Sequence, residues 1–197
     1  RNYIRDLDIR IGDTVVVQKA GEIIPEVVRV NLKKRPRNAK PFTMPEACPV
    51  CGRSLHTDES GIALRCVNHN CPAKIQRQFE HFASRAAMDI EGLGPAIIEQ
   101  LLENNMIQTL DDLYCLDADE LAALDGFGEK SAANLLAALE HSKQAPLDRV
   151  LFALGIRNIG AKAAKLLADR FGSMEAVMEA STEELSAVYD IGDTMAE

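Results

Sequence analysis

The sequence holds 197 residues, 47% of them apolar and 26% charged, with a formal net charge of −8. This is the composition of one large folded domain or of two to three small ones, and it excludes wholesale disorder. No apolar run approaches the ~18 residues that span a bilayer, the charged N-terminus shows no secretory pattern, and five cysteines are too few for a disulfide scaffold. An arginine at position 1 in place of methionine predicts a chain that is processed or cut from a longer one. Charge is uneven: residues 1–47 carry a net +4, residues 48–90 a net +1 and residues 91–197 a net −13. Any polyanion-binding surface is therefore local.

In chain order, residues 9–31 read as β. IRIGDTVVVQ and IIPEVVRVNL are rich in Val and Ile, with Lys19-Ala20-Gly21-Glu22 as the turn between them. Gly21 suits a positive-φ turn position. Pro25 lacks a ladder donor, which predicts an edge strand or a bulge at that point. Two strands alone are marginal in water, so partners come from elsewhere or the sheet is small and open. A basic, proline-punctuated linker follows from Lys33 to about Pro45. Residues 46–73 lack helical periodicity and hold four of the five cysteines. From Lys74 the pattern is helical, beginning with KIQRQFEHFASRAAM and continuing as helix–Gly–helix units.

The cysteines fall as Cys48-x2-Cys51 and, fourteen residues later, Cys66-x4-Cys71. Two close pairs across a loop suit one tetrahedral Zn²⁺ held by four thiolates, a closed and therefore structural site. Two disulfides or four buried thiols are the alternatives. Cys115, in LYCLDADEL, reads as a small buried apolar residue.

The back half repeats itself. Gly92-Leu93-Gly94, Gly126-Phe127-Gly128, Asn158-Ile159-Gly160 and Asp190-Ile191-Gly192 have closing glycines 34, 32 and 32 residues apart. Each loop opens a helix, the fourth one cut short by the end of the sequence. A glycine-opened helix start offers free backbone N–H groups and the positive end of the helix dipole, which together suit a phosphate. The central apolar residue turns inward. Such contacts grip a nucleic-acid backbone without reading sequence, so an acidic domain can make them. The alternative is a plain bundle whose glycines only cap helices. Lys130 stands beside the second loop, and Arg157, Lys162 and Lys165 beside the third, whereas the first has Glu91 and Glu99 and the fourth Asp190 and Asp193. Repeats two and three are thus the expected phosphate binders, and one and four mainly scaffold.

These residues together resemble the bacterial NAD-dependent DNA ligases. DIRIGDTVVVQKAGEIIPEV is similar to the late part of that family's OB-fold, CPVCG with Cys66 and CPA to its four-cysteine zinc finger, and HFASRAAMDIEGLG and FALGIRNIGAKAAKLLA to its helix-hairpin-helix domain. The resemblance implies a multi-domain, mainly α chain. Residues 1–45 would be the C-terminal part of an OB-fold plus a basic linker, 46–73 a small four-cysteine zinc finger, and 74–197 a tandem helix-hairpin-helix domain of four repeats, the last truncated. It implies structural Zn²⁺ on Cys48, Cys51, Cys66 and Cys71. It implies sequence-nonspecific binding of nicked double-stranded DNA through Gly92, Gly94, Gly126, Gly128, Lys130, Arg157, Asn158, Gly160, Lys162 and Lys165. Lys19 is either a DNA- or adenylate-facing residue or a solvated turn lysine.

In that family a lysine in a K-x-D-G motif takes AMP from NAD, and the enzyme seals nicks in replication and repair. No K-x-D-G occurs in these 197 residues. NAD and Mg²⁺ are therefore expected to bind outside this chain, no catalytic residue is assigned, and the isolated chain is expected to hold DNA without joining it. A cytoplasmic bacterial monomer without membrane contact completes the expectation. The alternatives are a non-enzymatic helix-hairpin-helix DNA-binding module and a metal-stabilised protein-interaction domain.

Overall fold

The two β-branched stretches pair with each other. The computed structural model describes residues 2–21, 23–58, 61 and 63–196, and divides into two compact units, 1–71 and 72–197.

In the first unit a short helix α1 (Asn2–Asp6) precedes β1 (Val15–Ala20) and β2 (Ile24–Val30), which form an antiparallel two-stranded sheet. The register runs from Val15 opposite Val30 to Lys19 opposite Pro25 and Ala20 opposite Ile24. Lys19 and Ala20 thus extend the strand and do not turn. The reversal comes later, around Gly21 at φ +57°, the left-handed region glycine enters without penalty; Glu22 of the expected turn lies outside the described residues. Pro25 sits in an unbroken register because each strand of a two-stranded sheet is an edge and can spare a donor. The irregularity lies elsewhere, between Val16 and Val17, where partners jump from Arg29 to Val27.

A 3-10 turn (Leu32–Lys34) leads into the linker, which an ion network fastens. Arg35 grips Asp13 with two parallel bonds, Nε to Oδ1 at 2.9 Å and Nη2 to Oδ2 at 2.8 Å, and reaches Asp8 Oδ2 through Nη1 at 2.6 Å. Arg10 adds bonds to Asp8 and to the Ala39 carbonyl. The Asp13 side chain is 1% exposed, and the Arg35 guanidinium holds its carboxyl below the ordinary 3.8. Asp8 is lowered likewise, first by Arg10 and then by Arg35. A depressed folded pKa means stability that is complete above the ordinary value and lost as pH falls through the folded one. Asp13→Asn is therefore expected to speed amide exchange at Arg10 and Asn31 at neutral pH. The gap from wild type should close on acidification below about pH 4; a gap that persists there would mean the network is not electrostatic. Two three-residue strands, β3 (Leu55–Thr57) and β4 (Leu64–Cys66), close this unit as an antiparallel ribbon.

The second unit is helical. α2 (Pro72–Ala83) presents Phe79, Phe82 and Ala83 to the interior. It stops short of the expected residue 88, because the Met88, Asp89 and Ile90 N–H groups fold back onto the Phe82, Ser84 and Ala83 carbonyls, with Asp89 left-handed at φ +55°. α3 (Pro95–Glu103), a 3-10 stretch (Leu110–Cys115), α4 (Ala118–Ala122) and α5 (Glu129–Ser142) follow. Thr109 and Asp112 form a capping box on the 3-10 stretch. Three residues per turn put Leu110, Leu113 and Leu116 on one inward face, so Cys115 points away. It is exposed, and the expectation of a buried apolar cysteine is corrected. α6 (Leu147–Ala153), α7 (Ala161–Phe171), α8 (Met174–Glu179), α9 (Thr182–Ser186) and α10 (Asp193–Ala196) complete the unit.

Its apolar residues form two clusters. One gathers Phe79, Ile98, Leu101, Leu113 and Leu135 from the first two hairpins. The other gathers Leu151, Ile159, Ala164, Leu167 and Ile191 from the last two. Burial of each large side chain stabilises by about 1.5–3 kcal/mol. Phe152 borders both clusters; its carbonyl meets His81 Nε2 at 2.7 Å, while Arg149 donates to the Ala87 and Arg85 carbonyls at 2.6 Å each.

Candidate metal centre and nucleic-acid interface

The ribbon and its flanking turns bring the four paired cysteines together. All four sulfurs lie within 4.8 Å of one another. Cys48 Sγ is 3.9 Å from Cys71 Sγ, and Cys51 Sγ is 3.5 Å from Cys66 Sγ. Zn–S bonds of ~2.3 Å in a tetrahedron put sulfurs ~3.8 Å apart, so the donor set fits zinc. The cysteines are free, at separations far beyond a disulfide's ~2.05 Å, which removes the disulfide alternative.

Local structure explains the convergence. The Gly52 N–H returns to the Cys48 carbonyl at 2.9 Å, with Gly52 at φ +70°. The Cys71 N–H returns to the Asn68 carbonyl at 3.3 Å. Amides aimed at sulfur favour thiolate. The Cys51 thiol falls to about 6, chiefly through the Arg53 N–H and then the Asn68 side chain. Cys48 falls through the Cys51 and Val50 N–H groups. Burial instead pushes Cys66 up to about 11, with the neighbouring Cys51 and Cys48 sulfurs adding to the rise. Asn68, between Cys66 and Cys71 in sequence, thus supports Cys51 on the other side of the cluster. When bound, zinc would hold these four thiolates in place and leave no open coordination position for chemistry.

The four glycine-closed loops share one backbone. Two residues before each closing glycine the chain is left-handed, at Gly92 (φ +88°), Gly126 (+70°), Asn158 (+68°) and Asp190 (+66°). The next residue, Leu93, Phe127, Ile159 or Ile191, donates its N–H three residues back. Three of these side chains are buried, and Phe127 is half-buried against the first cluster. The closing glycine is the helix N-cap. Gly94, Gly128 and Gly160 are extended, and as glycines they cap the helix with no side-chain hydrogen bond. All three are exposed, and a Cβ placed at any of them or at Gly192 would meet nothing within 4 Å. The helix starts are open to an anion. Pro95 at the first turn of α3 removes one donor from hairpin one, a deficit that reading the loops by their glycines alone misses.

The hairpins associate in pairs. In the first pair Gln100 on α3 donates to the Asp125 carbonyl at 3.2 Å and accepts the Asp125 N–H at 3.0 Å. In the second, Asn158 Nδ2 donates to the Thr194 carbonyl at 3.4 Å, and Lys162 Nζ lies 2.6 Å from Asp190 Oδ2. Lys165 pairs with Asp169 at 3.3 Å on its own helix. Lys19, Lys130 and Arg157 are exposed. No sequence signal announces the Gln100 clasp or the Lys162–Asp190 pair, since their partners lie 25 and 28 residues away.

Fold and site together define a multi-domain, mainly helical protein: a two-stranded β segment, a C4 zinc-finger centre and a tandem of helix-hairpin-helix pairs. Family comparisons agree in chain order. Residues 1–39 match the NAD-dependent DNA ligase OB-fold domain, 47–73 the NAD-dependent DNA ligase C4 zinc finger domain, 84–141 the SAM-like helix-hairpin-helix tandem and 149–197 the helix-hairpin-helix motif. The chain belongs to the NAD-dependent DNA ligase family. It is 54% identical over 198 aligned residues to a DNA ligase of Symbiobacterium thermophilum, covering 100% of this chain and 29% of the relative. To those of Lysinibacillus sphaericus and Methylococcus capsulatus it is 52% and 54% identical, covering 99% and 96% of this chain and 29% and 28% of the relatives. The chain thus spans about three tenths of the length of the relatives it matches. Among the described residues, no helix is long and apolar enough to cross a membrane.

Proposed function

We propose that this chain is the DNA-holding section of a NAD-dependent DNA ligase, gripping nicked duplex without regard to sequence while adenylation and sealing depend on residues outside it. The observation that carries the reading is the set of uncapped, unobstructed helix starts at Gly94, Gly128 and Gly160. Each offers backbone donors and a dipole end to a phosphate oxygen. Gly92 and Gly126 supply the left-handed turn before them, and Asn158 supplies it in the third loop. Hairpins two and three carry most of the grip: hairpin one lacks a donor at Pro95, and hairpin four presents Asp190 and Asp193. Lys130, Arg157, Lys162 and Lys165 stand where a backbone would pass, and Lys19 is an exposed cation on the β segment. Cys48, Cys51, Cys66 and Cys71 hold structural zinc. NAD and Mg²⁺ serve the whole enzyme, in the bacterial cytoplasm, with this section acting as a monomer. Residues 1–45, 46–73 and 74–197 are its three functional segments. Holding both ends of a break in line supplies the orientation that joining requires.

The test is a salt titration of binding to nicked and intact duplex. The wild-type chain binds both, and does not seal the nick unless an adenylation domain is added in trans. Lys162→Ala with Lys165→Ala lowers affinity and flattens the salt slope by ~0.9 per lost contact. Unaltered affinity and slope would remove these lysines from the interface.

A further inference from the structure

We propose that Asp190 is a built-in competitor for DNA: its carboxylate holds the Lys162 ammonium that a phosphate would otherwise take, so docking exchanges an internal ion pair for an external one. This rests on the DNA-holding function proposed above and adds a residue that tunes it.

The pair bridges two hairpins. Lys162 lies on the helix opened by the third loop and Asp190 lies in the fourth loop, with Nζ and Oδ2 2.6 Å apart and side chains 75% and 51% exposed. It stands in solvent, where a polyanion would arrive, and is not locked in the core. Exposed pairs of this kind are weak, so a phosphate can displace the carboxylate, yet the carboxylate must be displaced.

The contact is also one half of a crossed arrangement. In each loop of the pair, the residue two before the closing glycine touches the residue two after the closing glycine of the other. Asp190 meets Lys162, and Asn158 meets Thr194. The two loops therefore place Asn158 and Asp190 in equivalent positions, one neutral and one charged. Both are left-handed, at φ +68° and +66°, a conformation Asn and Asp tolerate alike. The backbone does not require a carboxylate at position 190; an amide satisfies the same turn in the neighbouring loop. What the carboxylate adds is charge, placed on the third hairpin's lysine.

The experiment is a double-mutant cycle on the whole chain. Fluorescence anisotropy with a nicked duplex over a salt series compares wild type, Asp190→Asn, Lys162→Ala and the double variant, with Glu179→Gln as a remote exposed control and circular dichroism to verify folding. Asp190→Asn tightens binding about two- to fivefold near 0.1 M salt and leaves the salt slope close to that of the wild type, since the number of phosphate contacts is the same. In the Lys162→Ala background the same substitution changes little, and Glu179→Gln changes nothing in either. A gain of equal size without Lys162 would reveal general repulsion and overturn the competitor role. So would unchanged or weaker binding by Asp190→Asn, which would make Asp190 a support for the lysine. A wild-type chain that binds no duplex at low salt overturns the DNA-holding function itself, an outcome read before any variant is compared.

Discussion

Replacing Cys71 with serine, or stripping the metal with a chelator, is expected to unfold residues 46–71 while the helical unit keeps its own thermal transition. Among the described residues of the first unit only Cys48 and Cys71 are buried. The ribbon of β3 and β4 has three residues a side, too short to persist alone. The sulfur cluster is therefore the expected main source of order in this segment. Apparent zinc affinity in small domains is worth about 10–16 kcal/mol, which exceeds any other single contribution available here. Serine at position 71 removes one thiolate and leaves an incomplete site. The measurements are zinc stoichiometry and amide protection at Cys48, Leu55 and Asp58, whose N–H groups reach the Arg53, Glu46 and Ala63 carbonyls, with Cys115→Ser as control, since Cys115 is exposed and lies in the other unit. Retained ribbon protection after complete metal removal would show that the segment folds by other means. The helical unit should persist because its two apolar clusters lie wholly within 72–197.

Placing aspartate at both Gly128 and Gly160 should separate stability from DNA binding. Both glycines are N-caps with extended φ of −105° and −87°, a geometry aspartate prefers, and a Cβ at either meets nothing within 4 Å. The new carboxylate would accept the helix's unpaired N–H groups and gain about a few tenths of a kcal/mol per cap over glycine. The same carboxylate occupies the donors a phosphate needs and sets like charge against it, so affinity should fall by about tenfold or more. The expected pairing is an unchanged or raised melting temperature with lost binding in anisotropy titrations. Binding that survives would move the interface away from these helix starts and leave the glycines as caps of a plain bundle.

Much of this is legible along the chain because it is local. The spacing Cys48-x2-Cys51 and Cys66-x4-Cys71 brings its own turns, so the ligand set needs no long-range information. The loop period works the same way: an apolar residue between a left-handed position and a glycine specifies one hairpin conformation wherever it recurs. Asn158 and Asp190 adopt the backbone of Gly92 and Gly126 despite their side chains. Boundaries are less legible. Lys19 reads as a turn residue beside Gly21, yet the ladder extends through Ala20, since pairing with Ile24 and Pro25 outweighs local turn preference. α2 reads as helical to Met88 but ends at Ala83, because three N–H groups fold back around Asp89. Cys115 reads as buried because it is small and apolar, but a 3-10 repeat of three faces it outward.

The sequence by itself determined the four-cysteine cluster, the hairpin loops and the family to which they belong, since each is a short pattern whose residues are neighbours in the chain. Only the tertiary structure decided how the hairpins combine and what their charges do. Gln100 clasps the loop at Asp125, and Lys162 pairs with Asp190 at the surface, across separations of 25 and 28 residues. Such contacts arise from packing one helical pair against another, and no periodicity in the chain encodes which charge meets which.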